Sequence, residues 1–164
     1  MTFTLIGHCR KTGKVGFCQA TSTPAVGWRC TDVVFGRGVL TVQAHGDYRQ
    51  VLRAKALMQS GLSPSAVLAE LKADDKYFEH RQIAILDMSG NAAVNTGQKA
   101  RPWAGEVAGP DYVATGNVLV GRKVVDAMAT TFEAGSGLEL EERLLRSVEA
   151  GRDAGGQEEG QTSC

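Results

Sequence analysis

Over residues 1–44 the apolar positions recur at short, β-like spacing and are broken by glycines and small polar residues. Residues 3–9 read as a strand, Lys11-Thr12-Gly13-Lys14 as a turn, and residues 15–20 as the returning strand of a hairpin. Thr21-Ser22-Thr23-Pro24 is a break, because Pro24 has no N–H to give to a ladder. Residues 30–35 and 38–44 form a second strand pair around Gly36-Arg37-Gly38. The period then becomes helical. Tyr48, Val51, Leu52, Leu57 and Met58 share a stripe within 47–60, and Gly61 suits the residue just past a helix end. Ser63-Pro64 is a cap followed by Pro at the first helical position, and Val67, Leu68 and Leu71 continue that helix to about Asp74-Asp75.

Residues 81–87 return to a β pattern, and residues 92–96 follow after the turn Met88-Ser89-Gly90-Asn91. Residues 97–110, with Pro102-Trp103-Ala104-Gly105 inside, read as loop, and 112–114 as a short strand. Two amphipathic helices close the pattern. Val124, Val125, Met128 and Phe132 line one over 121–134; Leu140, Leu144, Leu145 and Val148 line the other over 138–150.

Strands in runs and helices in runs predict an α+β class. Two such halves stack sheet on sheet with helix pairs outside, a four-layer αββα sandwich. Ile83-Ala84-Ile85-Leu86, apolar toward both faces, suits a sheet buried on both sides. No repeat or linker divides the chain, so residues 1–156 are expected to form one domain. Residues 157–164 are read as a polar tail or the start of a truncated final strand.

Composition narrows the partners. The 164 residues are 43% apolar and 22% charged, in the range of soluble globular proteins. Eighteen basic residues balance eighteen acidic ones with no Lys/Arg run, which argues against nucleic acid. No apolar run approaches the ~18 residues that cross a membrane. With no signal-peptide pattern at its start, the chain is expected in the cytoplasm. Cys9, Cys18, Cys30 and Cys164 lack metal-ligand spacing and are expected as buried, reduced thiols. A Cys9–Cys18 bridge across the hairpin is the alternative, disfavoured by that compartment. No metal or cofactor is implied.

The first strand begins at once, which puts Thr2 at the mouth of a sheet. If Met1 is removed, Thr2 carries a hydroxyl and a free α-amine. An amine with a pKa of about 7.7–8.0 can accept the hydroxyl proton near neutral pH and activate a nucleophile.

A set of segments carries a resemblance. It comprises Met1-Thr2-Phe3-Thr4, Ala20-Thr21-Ser22-Thr23-Pro24-Ala25-Val26-Gly27, Gly38-Val39-Leu40-Thr41-Val42-Gln43, Met58-Gln59-Ser60-Gly61-Leu62-Ser63-Pro64, His80-Arg81-Gln82-Ile83-Ala84-Ile85-Leu86-Asp87, Trp103-Ala104-Gly105 and Gly116-Asn117-Val118-Leu119. In order and spacing it resembles an uncharacterised bacterial domain-of-unknown-function family, number ten twenty-eight, regarded as similar to the N-terminal nucleophile (Ntn) hydrolases. The resemblance implies the αββα fold, with or without its last strand, and an amide-hydrolase ancestry with Thr2 in the nucleophile's place. It also implies a small amide or peptide-like substrate and association into homo-oligomers. A lysine frequent after the second strand of related proteins is absent, since Thr21-Ser22-Thr23 occupies that stretch. The alternative is a non-catalytic domain that keeps the fold for binding or assembly.

Further candidates have two readings each. Ser22 and Thr23 orient the Thr2 amine or satisfy a turn. Asn117 donates to an oxyanion or occupies a turn with positive φ. Gln43 and His45, at one strand end, contact substrate or are structural. Arg81 holds a substrate carboxylate or pairs with an Asp or Glu. Trp103 walls a pocket or packs a core.

Overall fold

The computed structural model describes residues 1–158. Two antiparallel strands, β1 (Thr2–Cys9) and β2 (Lys14–Thr21), open the chain. The short helix α1 (Val26–Arg29), β3 (Thr31–Val34) and β4 (Gly38–Ala44) follow, then α2 (Tyr48–Gln59) and α3 (Pro64–Asp74). A 3-10 turn (Phe78–His80) leads to β5 (Arg81–Asp87), β6 (Ala92–Thr96), β7 (Ala104–Gly109) and β8 (Tyr112–Asn117), and α4 (Lys123–Ala134) and α5 (Leu140–Asp153) complete the order.

The strands form two four-stranded antiparallel sheets, ordered β2-β1-β8-β7 and β3-β4-β5-β6. Alternation along each strand divides its side chains between two environments. Phe3 and Leu5 of β1 join Val124, Val125, Met128 and Phe132 of α4 in one core, which Leu140, Leu144 and Val148 of α5 extend. Leu40 and Val42 of β4 and Ile83 and Ile85 of β5 pack with Val51, Ala54 and Met58 of α2, and with Val67 and Leu71 of α3. The opposite faces of the strands meet each other: Ile6, Val39, Ala84, Leu86 and Val113 form a third cluster drawn from both sheets.

Helix ends follow local chemistry. The Asp47 carboxylate accepts the Arg49 N–H at 3.0 Å to start α2. The Ser63 hydroxyl accepts the Ala66 N–H at 3.3 Å to start α3, with Pro64 behind it. Gly61 takes φ 95, which closes α2 in a conformation a side chain would strain.

The structure revises several expectations. Residues 97–110 are not all loop, because β7 pairs with β8 from Ala104–Asn117 to Gly109–Tyr112. Its glycines, weak β-formers by propensity, make room for rings. A Cβ on Gly105 would lie 2.7 Å from the Trp103 ring, and one on Gly109 would lie 2.4 Å from Tyr112. The short strand expected at 112–114 runs on to Asn117. In α2 the buried stripe is Val51, Ala54 and Met58, whereas Tyr48 and Leu52 are exposed; so is Leu145 in α5. Tyr48 stacks instead on Trp28 of α1, centroids 5.0 Å apart. Cys9, Cys18 and Cys30 are in no disulfide and only partly buried, not buried as expected. Cys9 faces Lys14 and Cys18 faces Leu5 across the hairpin, so the two thiols are not cross-strand neighbours. Of the expected tail, Gln157 makes an isolated antiparallel bridge to Leu119, while Cys164 and the rest from residue 159 lie outside the described residues.

Candidate functional site

Thr2 is the first residue of β1, an inner strand flanked by β2 and β8. Because Phe3 points to α4 and α5, its neighbours Thr2 and Thr4 point toward the second sheet, on the face of Ile6. Thr2 is therefore buried, at the end of the space between the sheets.

That end is polar. Thr4 donates its hydroxyl to Gln43 Oε1 at 2.7 Å and accepts from Gln19 Nε2 at 2.8 Å. Gln43 Nε2 donates to Gln82 Oε1 at 2.8 Å, and Gln82 Nε2 donates to the Gly116 carbonyl at 2.9 Å and to Thr96 at 2.8 Å. Thr31 extends the set by donating to Thr41 at 3.1 Å. These bonds tie the ends of β1, β2, β4, β5 and β8 together around Thr2. A buried polar group is costly unless it is paired, so such a network holds its members in one geometry.

Thr2 Oγ1 lies 3.1 Å from Thr21 Oγ1, its register partner on β2. Thr21 directs its proton to the Met1 carbonyl at 2.7 Å, which makes Thr2 the donor in the hydroxyl pair. The Thr23 N–H donates to Thr21 Oγ1 at 3.1 Å.

Met1 and Ala44 line two cavities of about 220 Å³ each. One includes Thr2, Val26, Arg29, Cys30, Gln43 and Tyr48 in its wall. The other is lined by His45, His80, Lys99, Arg101 and Asn117. Burial pushes the Cys30 thiol up, against the pull of the Arg29 guanidinium and the N-terminal ammonium, so this sulfur stays protonated. Among the described residues no group of three or more His, Cys, Asp or Glu side chains is placed to hold a metal, and no helix is long and apolar enough to cross a membrane.

Sequence comparison matches the family of unknown function DUF1028 over residues 2–164. The chain belongs to that family. The crystal structure of SPO2555 from Silicibacter pomeroyi, a DUF1028 protein, is similar to it at 30% identity and a TM-score of 0.88. The alignment covers 94% of this chain and 71% of SPO2555. No curated protein matches.

Of the residues singled out from sequence, this DUF1028 protein brings Thr2, Thr23 and Gln43 to one cavity and His45 and Asn117 to the other. Thr23 is exposed and reaches Thr21 through its backbone, and Ser22 lines neither cavity. Asn117 is strand, not turn; the positive φ of 54 falls on Val118. Its Nδ2 donates to Gln82 Oε1 at 3.2 Å. Gln43 is buried within the network, although its side also lines a cavity. His45 is exposed and tilts against Tyr77 and His80.

Arg81 and Trp103 take the structural alternative. Arg81 is 1% exposed; it is bonded to Asp75 through Nε and Nη2 and to the His45 carbonyl through Nη1. Burial would raise the Asp75 carboxyl, but the Arg81 hydrogen bonds, the Tyr77 N–H and the Arg81 charge outweigh it and hold the group below the usual range. Trp103 packs against the α4–α5 core and over Gly105. Sequence reading missed Thr21, although counting back from the Cys9–Lys14 pair leads to it. It also missed Gln19, Gln82, Lys99 and Arg101, whose proximity needs both sheets.

Proposed function

We propose that this chain is an N-terminal nucleophile amide hydrolase, residues 1–156 being one domain of the four-layer αββα type. Thr2 acts as the nucleophile after Met1 is removed. The order of helix pair, sheet, sheet and helix pair supports the fold reading. The observation that carries the function is the placement of Thr2. It heads an inner strand, its hydroxyl engages Thr21, and Met1 lines two cavities, one of which includes Thr2. Loss of Met1 frees the α-amine of Thr2 at that point and releases the Thr21 hydroxyl from the Met1 carbonyl.

In this mechanism the neutral α-amine takes the Thr2 hydroxyl proton as Oγ1 adds to the amide carbonyl carbon. The C–N bond then breaks and the proton passes from the ammonium to the leaving nitrogen. Water adds to the acyl-threonine ester and gives its proton to the amine. The Thr2 oxygen leaves, recovers that proton, and a carboxylic acid is released. Thr21 is a positioning residue that orients the hydroxyl. The substrate is a small amide or a peptide-like molecule.

The second reading is a binding or assembly domain. It is favoured by Thr21-Ser22-Thr23, which stand where related proteins often carry a lysine. Mass spectrometry of the protein from its own host separates the two. Quantitative retention of Met1 ends the hydrolase reading. If Met1 is absent, Thr2→Ala is expected to reduce amide hydrolysis to background in a folded protein.

Homo-oligomerisation is part of the same proposal. Trp28 at 71% and Phe35 at 101% exposure lie beside the edge strands β2 and β3. A monomer in size-exclusion chromatography at micromolar concentration would remove it.

A further inference from the structure

We infer that Gln82 is a positioning residue for the candidate site. It holds the Asn117 amide by its nitrogen, so that Asn117 meets a substrate at Thr2 as a hydrogen-bond donor to the carbonyl oxygen under attack. The contact with substrate rests on the hydrolase reading; the hold of Gln82 on Asn117 stands on the hydrogen bonds themselves.

Gln82 belongs to β5 in one sheet, but its side chain reaches the other. Its Nε2 donates to the carbonyls of Gly116 at 2.9 Å and Gly105 at 3.1 Å, and to Thr96 Oγ1 at 2.8 Å. A backbone carbonyl only accepts, so this end of the amide has to be the nitrogen. The Thr96 hydroxyl gives its own proton to the Glu106 carboxylate, which leaves its oxygen to accept from Gln82. Gln82 Oε1 is thereby turned the other way. There it accepts from Gln43 Nε2 at 2.8 Å and from Asn117 Nδ2 at 3.2 Å. Both lone pairs of that oxygen and both N–H groups of the amide are then in use. Gln82 is fully buried and has nothing left to offer a ligand, so any effect it has on a substrate passes through a neighbour.

Asn117 is that neighbour. It is the ladder partner of Thr2 on β8, as Thr21 is on β2. Residues directly opposite in a ladder share a face, with Cβ atoms about 4.5–5.5 Å apart. Thr2 therefore has a hydroxyl on one side and a primary amide on the other. The bond to Gln82 uses one N–H of Asn117, and among the described residues its side chain makes no other hydrogen bond. The side chain lines a cavity that Met1 also lines, and loss of Met1 enlarges that cavity. Gln82 Oε1 binds only the nitrogen end of this amide, which prevents a flip. When Thr2 Oγ1 adds to the carbonyl carbon, the π pair of the C=O bond moves onto oxygen. The second N–H of Asn117 donates to that oxyanion without giving up its proton, and the pair returns as the C–N bond breaks. The bond to Gln82 polarises the amide and strengthens the donation.

The test uses protein with Thr2 at its N-terminus. Asn117→Ala is expected to lower kcat for amide hydrolysis about 100-fold, the cost of one oxyanion donor. Gln82→Met, equal in length, is expected to lower kcat about 10-fold with KM unchanged, because the donor remains but is no longer held in place. Since Gln82 acts through Asn117, the double variant should lose no more than Asn117→Ala alone. Additive losses, or a folded Gln82→Met protein with full kcat, would overturn the inference and leave the hydrolase reading standing. Side-chain hydrogen exchange by NMR reads the same contact without turnover. The two Nδ2 protons of Asn117 should exchange at rates about 10-fold apart, one held by Gln82 and one open to the cavity, and Gln82→Met should equalise them. If Gln82→Met does not fold, the unmutated protein decides, and equal rates there overturn the inference. Unequal rates in a protein that hydrolyses no amide would keep the hold of Gln82 on Asn117 and remove the hydrolase reading instead.

Discussion

The two kinds of interior in this molecule differ in what they are made of. Between helices and sheets the contacts are mainly apolar, as where Phe3 and Leu5 meet Val125, Met128 and Phe132, with few polar contacts such as Tyr112 donating to Glu133. Between the two sheets only one end is apolar, the cluster around Ile6, Ala84 and Val113. The other end is the threonine and glutamine network of Thr4, Gln19, Gln43 and Gln82. Apolar contacts hold surfaces together without choosing a register or an orientation. A buried amide tolerates few arrangements, because every unpaired donor or acceptor is costly. The helix-facing cores thus supply most of the stability, and the polar end fixes where the strand ends stand around Thr2.

Four substitutions can break or sharpen that contrast. The largest effect is expected in the outer core. Phe132 is fully buried, and Phe132→Ala should cost about 3–5 kcal/mol by chemical denaturation. A loss below ~1 kcal/mol would mean that this core does not dominate stability.

Arg81→Met should cost almost as much, about 3–5 kcal/mol, because Asp75 is left buried without its partner. Its pH dependence carries the sharper signature. In the parent protein Asp75 sits below its unfolded pKa of about 3.9, so its contribution is complete above that value and disappears as pH falls through the lower, folded pKa. In Arg81→Met only the Tyr77 N–H remains against the larger effect of burial, so Asp75 is pushed upward and the variant should regain stability as the carboxyl protonates on acidification. Urea midpoints taken from pH 7 to pH 3 decide it. Parallel curves for the two proteins would show that the pair is not coupled.

For Gln43→Ala the expected loss is smaller, about 1–3 kcal/mol, from hydrogen-bonding groups on Thr4 and Gln82 left unpaired. It should also move the chemical shifts of Thr2 and Asn117 at the rim more than Phe132→Ala does. The reverse order would reassign the network from positioning to plain stability. Leu145→Ala should change stability by less than about 0.5 kcal/mol, since half of that side chain is in water. A larger loss would show that Leu145 has a partner in solution.

Element types were largely legible in advance. The alternation of β1, β4 and β5, the caps Asp47 and Ser63, and the stripes of α4 and α5 are short-range signals and need no tertiary information. β7 was not legible. Ala104, Gly105, Ala108 and Gly109 are poor strand formers, and they become strand because β8 offers a complete ladder and the Trp103 and Tyr112 rings need space. Exposure of Leu52 and Leu145 was equally hidden, because periodicity marks an apolar face but not how far the neighbouring sheet reaches across it.

Thr2 lies between these cases. The chain alone places a threonine at the head of a strand, and hairpin counting from Cys9 and Lys14 leads to Thr21. The rest of the site joins residues distant along the chain, Gln43 and Gln82 from one sheet, Asn117 from the other, and Lys99 and Arg101 from the segment between β6 and β7. Each of these is an ordinary polar residue in its local context. Local sequence determines which backbone conformations and faces are available over a few residues. Which faces meet, and which side chains share one cavity, is decided by the packing of two sheets whose strands are tens of residues apart.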